Sequence, residues 1–197
     1  MAQRRPATIR CRSMAKVKGT NLIGAVKLLR KNRAHAEKTL APALHHYLHE
    51  RIMLTDWYPE QDLVALLRAM APLLKDAKED PYELFGRAAV REHMSGVYER
   101  LLKGDRSSLA RRVSVMWKAQ HDTGSLEFVG STPGRGRYEL KDYGHPSREM
   151  CGTLNGYLSE SLRASGFASV SIEKTRCTLD GADRCVWEAR WRDGDGS

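Results

Sequence analysis

The hydrophobic period of the chain changes once, near Gly124, and that change constrains the fold more than any other feature of the sequence. From about residue 21 to residue 122, apolar residues recur three and four positions apart, which is the period of amphipathic helices. Residues 126–140 and 167–191 instead alternate around turn signals and predict two hairpins, separated by a helical stretch over about 148–164. The sequence therefore predicts an α+β fold, with N-terminal helices packed on an antiparallel sheet of two hairpins joined by a helix.

Turn and capping signals divide the helical region into segments. A corner at Trp57-Tyr58-Pro59 precedes the clearest apolar stripe, and Asp80-Pro81 opens a longer helix that Gly104 is expected to end. A further helix, capped near Ser107, is expected to stop at Gly124. The clearest stripe consists of Leu63, Leu66, Leu67, Met70, Leu73 and Leu74.

The chain of 197 residues is long enough to bury a hydrophobic core as one domain. No internal repeat or long low-complexity linker divides it. We predict a basic flexible tail over residues 1–16, a single α+β domain over residues 17–192, and a flexible C-terminus over residues 193–197.

The positive charge is concentrated near the N-terminus. Residues 1–33 contain ten cations and no acid, and subtracting these ten from the net charge of +9 leaves −1 for residues 34–197. A basic arm containing Arg4, Arg5, Arg10 and Arg12 can contact nucleic acid or an acidic surface. A solvated tail explains the same residues, so nucleic-acid binding is the less favoured interpretation.

The lack of a recognisable targeting signal and the small number of cysteines predict a cytoplasmic protein. No apolar run reaches the 18 residues of a membrane-spanning helix, and the N-terminal residues lack the apolar core of a secretory signal. Four cysteines in a chain of this size without an export signal are expected to stay reduced.

Three cysteines are predicted to meet beside the last hairpin. Cys177 and Cys185 flank its turn, and Cys151 lies on the apolar stripe of the preceding helix. Such a cluster is compatible with a zinc site, a reduced structural cluster, or redox chemistry. Zinc normally takes four ligands, and the nearest candidate on the predicted cysteine face is Glu173, about 13 Å along the strand from Cys177. Lys174, on the other face, is expected to point to solvent.

The hairpin motif Cys177, Gly181, Cys185 and Trp187 resembles the closing hairpin of four-vinyl-reductase domains. Recurrent blocks along the chain also resemble an uncharacterised myxobacterial family of about this length: VKGT from Val17, DWYP from Asp56, Trp117 followed by HDTG, and TRC…G…C…W from Thr175. The resemblance implies the fold shared by these sensor domains, TRAPP vesicle-tethering subunits and haem nitric-oxide-binding domains. It implies no activity.

The resemblance also implies candidate site residues. Sensor members of the four-vinyl-reductase family bind zinc through a helix cysteine, two hairpin cysteines and a glutamate three residues before the first hairpin cysteine. The cysteines match Cys151, Cys177 and Cys185, whereas Lys174 occupies the glutamate position and Glu173 lies one place away. Related sensors build an aromatic-lined ligand pocket near helix ends, for which the candidates here are Trp57, Tyr58, Trp117, His121 and Trp187. Ordinary core packing explains the same aromatic residues.

Enzymatic motifs are missing from the sequence. It contains no nucleophile elbow, P-loop or dinucleotide fingerprint. The porphyrin clamp Tyr-x-Ser-x-Arg of the haem nitric-oxide-binding family is matched only in part by Tyr157-x-Ser159-x-Ser161, which lacks the arginine. No haem is therefore expected.

We therefore expect a non-enzymatic module that senses a small apolar ligand or binds a partner protein in a signalling or regulatory role. The alternative is a scaffolding subunit without a small-molecule pocket. By analogy with the tethering subunits, the chain is expected to form a dimer with itself or with a partner. Zinc is the one cofactor that the sequence suggests.

Overall fold

The structure is a computed structural model, which describes residues 14–75, 78–94 and 109–193. It confirms the predicted α+β fold, with helices covering an antiparallel sheet. The basic arm, with Arg4, Arg5, Arg10 and Arg12, lies outside the described residues, as do the predicted helix end at Gly104 and the predicted cap at Ser107.

Short helices form the N-terminal half. They are α1 (Ile23–Lys31), α2 (Arg33–Thr39), a 3-10 helix (Pro42–Leu48), and α3 (Glu60–Met70) with a 3-10 extension (Ala71–Leu74). Their apolar faces form one core of mainly aliphatic side chains, in which Leu22, Leu29, Leu66 and Leu67 are completely buried. Helix α3 follows Pro59 and carries Glu60 and Asp62 in its first turn, where acidic side chains complement the helix dipole.

A two-stranded ribbon has one strand before α1 and the other directly before α3. Strand β1 (Lys16–Lys18) pairs antiparallel with β2 (Trp57–Pro59), so the predicted corner at Trp57 is a strand. Strand β1 begins at Lys16, the last residue of the predicted tail. Val17 also forms an isolated bridge with His121, which joins the N-terminal half to the C-terminal half.

Four antiparallel strands form the main sheet. They are β3 (Ser125–Thr132), β4 (Arg135–Lys141), β5 (Phe167–Arg176) and β6 (Cys185–Asp193), in the spatial order β3-β4-β6-β5. The two predicted hairpins therefore lie side by side through the β4–β6 pair, in which Leu140 is opposite Cys185 and Tyr138 is opposite Trp187. Cys185, Trp187 and Ala189 are buried, as the predicted alternation requires.

Three longer helices lie between the sheet and the N-terminal half. They are α4 (Pro81–Met94), α5 (Leu109–Gln120) and α6 (Arg148–Ala164). Helix α6, which matches the predicted range, packs on β5 on one side and on α4 on the other. Its N-terminus is capped by Ser147, whose hydroxyl accepts a hydrogen bond from the Met150 amide.

Two glycines allow α4 and α6 to approach backbone to backbone. A Cβ atom on Gly156 would lie 2.0 Å from the Glu83 carbonyl oxygen, and one on Gly86 would lie 2.0 Å from the Thr153 carbonyl oxygen. Only glycine fits such a close contact. Among the described residues, no helix is both long and apolar enough to cross a membrane.

Candidate functional site

Three thiols meet where the first turn of α6 covers the end of the last hairpin. The Sγ atoms of Cys151, Cys177 and Cys185 all lie within 4.8 Å of one another, and the Cys151 and Cys177 sulfurs are 4.0 Å apart. Cys177 and Cys185 are buried, whereas Cys151 is partly exposed. The sequence predicted this grouping from the helical stripe and the strand alternation, although neither observation fixes the distances.

A bulge in β5 gives the thiol cluster a lysine in place of a glutamate. The register with β6 shifts between Lys174 and Arg176, so the side-chain alternation changes before Cys177. Lys174 therefore joins the cysteine face, with its ammonium 3.1 Å from the Cys177 sulfur and also bonded to Cys151. Glu173 is exposed and lies outside the cluster. The expected placement of Glu173 on the cysteine face, about 13 Å from Cys177, and of Lys174 in solvent was wrong, because both assumed an unbroken strand.

Hydrogen bonding distributes charge within the cluster. Burial opposes the charge on Lys174, but its hydrogen bonds to Cys151 and Cys177 outweigh that cost and raise its pKa. A hydrogen bond from the Cys151 thiol lowers the pKa of Cys185, assisted by the amide and hydroxyl of Thr178, each 3.5 Å from its sulfur. The same contact and burial raise the pKa of Cys151. The cluster thus stabilises one thiolate beside an ammonium.

Three sulfurs form an incomplete set of ligands for zinc. Thiolates favour zinc and other soft metals, but a closed zinc site needs a fourth donor. Among the described residues, the metal-compatible group contains the three cysteines alone. Lys174, whose ammonium contacts two of the sulfurs, has no lone pair to offer while it is charged.

A second region, which we call the cavity, lies on the other side of α6. Its walls come mainly from α4, α5 and α6, and it encloses an empty volume of about 760 Å³, which includes space open to solvent. The larger part of its wall is apolar and is formed by Val90, Met94, Val113, Met116, Trp117, Leu126, Met150, Leu154 and Leu158. A mostly apolar concavity with a few polar groups is the usual form of a small-molecule site.

The polar groups of the cavity differ in how far their hydrogen bonds are satisfied. The hydroxyl of Thr153 is buried and has no hydrogen-bond partner among the described residues. Arg112 donates a hydrogen bond to Ser165 at the same wall. The Tyr157 hydroxyl lies 3.2 Å from Nδ1 of His93, whose pKa burial lowers to about 4, so this imidazole is neutral at pH 7.

A buried hydrogen-bond network closes the cavity toward the N-terminal half. Glu60 is completely buried, and its Oε1 accepts hydrogen bonds from Nδ1 of His121, at 2.8 Å, and from the Tyr143 hydroxyl. The His121 ring stacks on Trp117 with 3.9 Å between ring centroids. Burial, followed by the charge of Glu60, raises the pKa of Tyr143 well above its usual value. The network holds His121 in one orientation at the cavity wall.

The predicted pocket residues separate into two groups. Trp117 and His121 line the cavity. Trp57 is exposed beneath the Lys18 ammonium, and Tyr58 packs on the N-terminal core, so both lie outside the cavity. Trp187 is buried in the sheet core under Lys174 and is also outside it. The aromatic pattern identified one wall of the cavity but could not separate cavity residues from core residues.

Solved structures share this fold. An oxygen-binding H-NOX domain related to soluble guanylate cyclases matches with a TM-score of 0.63 and 13% identity, over 91% of this chain and 97% of its own. An H-NOX protein from S. oneidensis, described in its Fe(II) ligation state, matches with a TM-score of 0.64 and 15% identity over 91% and 98%. The fold is that of the H-NOX domains.

A third match is an Fe(II) unliganded H-NOX mutant from K. algicida, with a TM-score of 0.63 and 13% identity over 89% of this chain and 96% of its own. No protein-family model matches the sequence, and no curated protein matches it. The structural matches support the haem-nitric-oxide-binding part of the resemblance. The four-vinyl-reductase, TRAPP and myxobacterial parts stay predictions.

Among the described residues, the lining of the cavity does not fit haem. Haem needs an axial ligand aimed at the iron and polar partners for its propionates. His121 is the one imidazole among the described residues that line the cavity, but it is bound to Glu60 and stacked on Trp117. Residues 95–108, which follow α4, contain no histidine. Ser161 stands at the arginine position of the porphyrin clamp, and its hydroxyl donates to the backbone of Tyr157.

Sequence reasoning missed the residues whose roles depend on long-range pairing. Nothing near Glu60 in the sequence indicates that it pairs with His121, 61 residues away. The position of Lys174 among the thiols could not be predicted, because a bulge has no reliable signature in a single sequence. The helical period of α6 could have placed Thr153 and Tyr157 on one face, since they are separated by four residues.

Proposed function

We propose that this protein is a non-enzymatic binding module that holds a small, mainly apolar molecule in the cavity between α4, α5 and α6. The observation that carries the proposal is the cavity itself, a concavity between three helices whose walls are mainly apolar. A mainly apolar cavity between helices favours a sensor over a scaffolding subunit, for which a long exposed apolar helix face would be expected.

The polar groups of the cavity wall indicate that the ligand carries hydrogen-bonding atoms. The Thr153 hydroxyl, which has no hydrogen-bond partner among the described residues, is a costly feature, because a buried hydroxyl without a hydrogen bond loses about 1–3 kcal/mol. A ligand acceptor atom would satisfy it. Arg112 adds a cationic donor beside Ser165, about 18 Å along α6 from Thr153, and favours a ligand with a carboxylate or another acidic group.

Binding without chemical conversion agrees with the arrangement of the titratable groups. The buried Glu60–His121 pair is the strongest acid–base candidate in the site. Among the described residues, no hydroxyl that lines the cavity is hydrogen-bonded to His121, so the pair has no nucleophile to activate. The proposed role of Glu60 is to hold His121 in one orientation through their hydrogen bond.

The test compares two substitutions of the same type on helix α5. Val113 is buried and lines the cavity, whereas Val115 is exposed and lies outside it. Val113→Phe places a ring in the cavity, and Val115→Phe adds the same ring to the surface. The probe is 8-anilino-1-naphthalenesulfonate, an aromatic anion, titrated by fluorescence and by calorimetry on protein with a cooperative melting transition.

We expect Val113→Phe to weaken probe binding by about tenfold or more, and Val115→Phe to leave it unchanged. Equal affinities in both variants would show that the probe binds elsewhere and would overturn the proposal. Haemin is titrated in parallel. A 1:1 haem complex with a Soret band that His121→Ala abolishes would also overturn it, because the module would then be a haem protein.

Several finer features stay part of the proposal. A second copy of the chain or a partner protein would receive the binding signal, which sizing by light scattering with and without the probe can test. Zinc at Cys151, Cys177 and Cys185 is tested by metal content per chain in wild type and in Cys177→Ser. The cytoplasmic location and the weaker prediction of nucleic-acid binding through the basic arm rest on the sequence alone.

A further inference from the structure

The thiol cluster contains the parts of an oxidisable cysteine pair. Cys151 is partly exposed on α6, the buried sulfur of Cys177 is 4.0 Å away, and the Lys174 ammonium contacts both sulfurs. Redox-active cysteines combine an accessible sulfur, a nearby positive charge and a second cysteine within reach. None of these features takes part in the proposed cavity binding.

We propose that Cys151 and Cys177 form an intramolecular disulfide when the protein meets a peroxide, and that the bond joins helix α6 to the end of strand β5. A disulfide bond is about 2.05 Å long, so the two sulfurs must approach by about 2 Å. Rotation of two side chains supplies a movement of this size.

Cys151 is the thiol that meets the oxidant, because its sulfur is the accessible one. The Lys174 ammonium, which contacts this sulfur, partly offsets the rise in the pKa of Cys151 and so favours the thiolate, which is the nucleophilic form. The thiolate attacks hydrogen peroxide, the O–O bond breaks, hydroxide leaves, and Cys151 becomes a sulfenic acid. The Cys177 sulfur then attacks the Cys151 sulfur, the S–S bond forms, and the sulfenic oxygen leaves as hydroxide. With two thiol protons returned to the hydroxides, two thiols and one peroxide give one disulfide and two waters.

Cys185 serves as the internal comparison. It is buried, and its sulfur accepts hydrogen bonds from the amide and the hydroxyl of Thr178. Among the described residues, the sulfurs that the Lys174 ammonium contacts are those of Cys151 and Cys177. Cys185 is therefore expected to stay reduced while Cys151 and Cys177 are oxidised.

The experiment uses the full chain with Cys11→Ser, which leaves the cluster as the only source of thiols. Reduced protein is titrated with hydrogen peroxide, thiols are counted in denaturant, and the bonded peptides are identified by mass spectrometry. We expect the count to fall from three to one per chain with a Cys151–Cys177 linkage. Cys185→Ser should form the same linkage. Cys177→Ser should instead accumulate a Cys151 sulfenic acid that dimedone traps.

Lys174→Met tests the role of the ammonium, with Lys118→Met on the exposed face of α5 as the control. Lys174→Met should slow oxidation by about tenfold, and Lys118→Met should not change it. A linkage that includes Cys185, over-oxidation of Cys151 without a disulfide, or a bound metal ion that protects all three thiols would overturn the proposal. Identification of the disulfide in the chain that keeps all three cluster cysteines decides between these outcomes even if a variant of the cluster fails to fold.

Discussion

The cavity and the thiol cluster lie on two sides of the same helix, and they differ in how they use polar groups. Cys151 and Thr153 are two residues apart in α6, which separates their side chains by about 200° around the helix axis. On the Thr153 side the walls are mostly apolar and the buried imidazole of His93 is neutral at pH 7. On the Cys151 side an ammonium and three sulfurs are in contact.

This difference separates two kinds of chemistry in one fold. Apolar walls with few charges suit reversible binding, in which affinity comes from burial and from one or two oriented hydrogen bonds. A charged thiol cluster suits a covalent change, because a cation stabilises the nucleophilic form of sulfur. Helix α6 contacts both regions, so a change in either region acts on the same element.

The largest expected effect comes from the contact that positions α6 against α4. Gly156→Ala puts a methyl group 2.0 Å from the Glu83 carbonyl oxygen, and backbone on both sides limits relaxation. We expect a loss of about 3 kcal/mol or more in the free energy of unfolding, measured with urea.

Gly24→Ala is the matched control for Gly156→Ala. Its new Cβ atom would meet the Phe85 ring at 3.1 Å, and a side chain can move by a few tenths of an ångström. Alanine favours a helix over glycine by about 1 kcal/mol, so this variant should be neutral or stabilised. If Gly156→Ala were equally well tolerated, α4 and α6 would not form the fixed cavity wall that the proposal requires.

The second prediction concerns the neutral imidazole next to the cavity. Burial lowers the pKa of His93 from 6.5 to about 4, so between these values the unfolded chain binds a proton that the folded chain does not. Stability from this group is therefore present above pH 6.5 and is lost as pH falls toward 4. Relative to His93→Gln, wild type should lose about 3 kcal/mol between pH 7 and pH 4 in urea titrations. Parallel pH profiles of the two proteins would mean that the imidazole is already charged or solvated in the fold.

The α+β architecture could be predicted from the hydrophobic period, the turns and the caps of the sequence. The arrangement of the site residues could not. The two hairpins and helix α6 appear where the change of period near Gly124 placed them. Burial of Trp187 follows from the alternation along β6, although Val186 on the opposite face is buried too. The bulge before Cys177 breaks that alternation on the neighbouring strand, and one extra residue exchanges Glu173 for Lys174. Local rules give the elements, whereas the identity of the charge among the thiols depends on the register between strands.

The third prediction separates binding from stability in the cavity. Thr153→Val keeps the shape of the side chain and removes the buried hydroxyl, which has no partner among the described residues. The free energy of unfolding should rise by about 1 kcal/mol, while affinity for the anionic naphthalene probe should fall by about fivefold. Thermal melting and fluorescence titration measure the two effects. Lower stability in Thr153→Val would show that the hydroxyl is already satisfied in the protein without a ligand.

The smallest expected effect tests the two faces of β5 beside the thiol cluster. Glu173→Gln removes a charge from the exposed face, so stability should change by less than about 0.5 kcal/mol and the rate of peroxide oxidation should stay that of wild type. Lys174→Met, one residue later, should slow the oxidation because its ammonium contacts Cys151 and Cys177. If Glu173→Gln changed the rate and Lys174→Met did not, the strand would have the unbroken alternation first expected from the sequence. The glutamate would then lie on the cysteine face of β5, and the lysine would point to solvent.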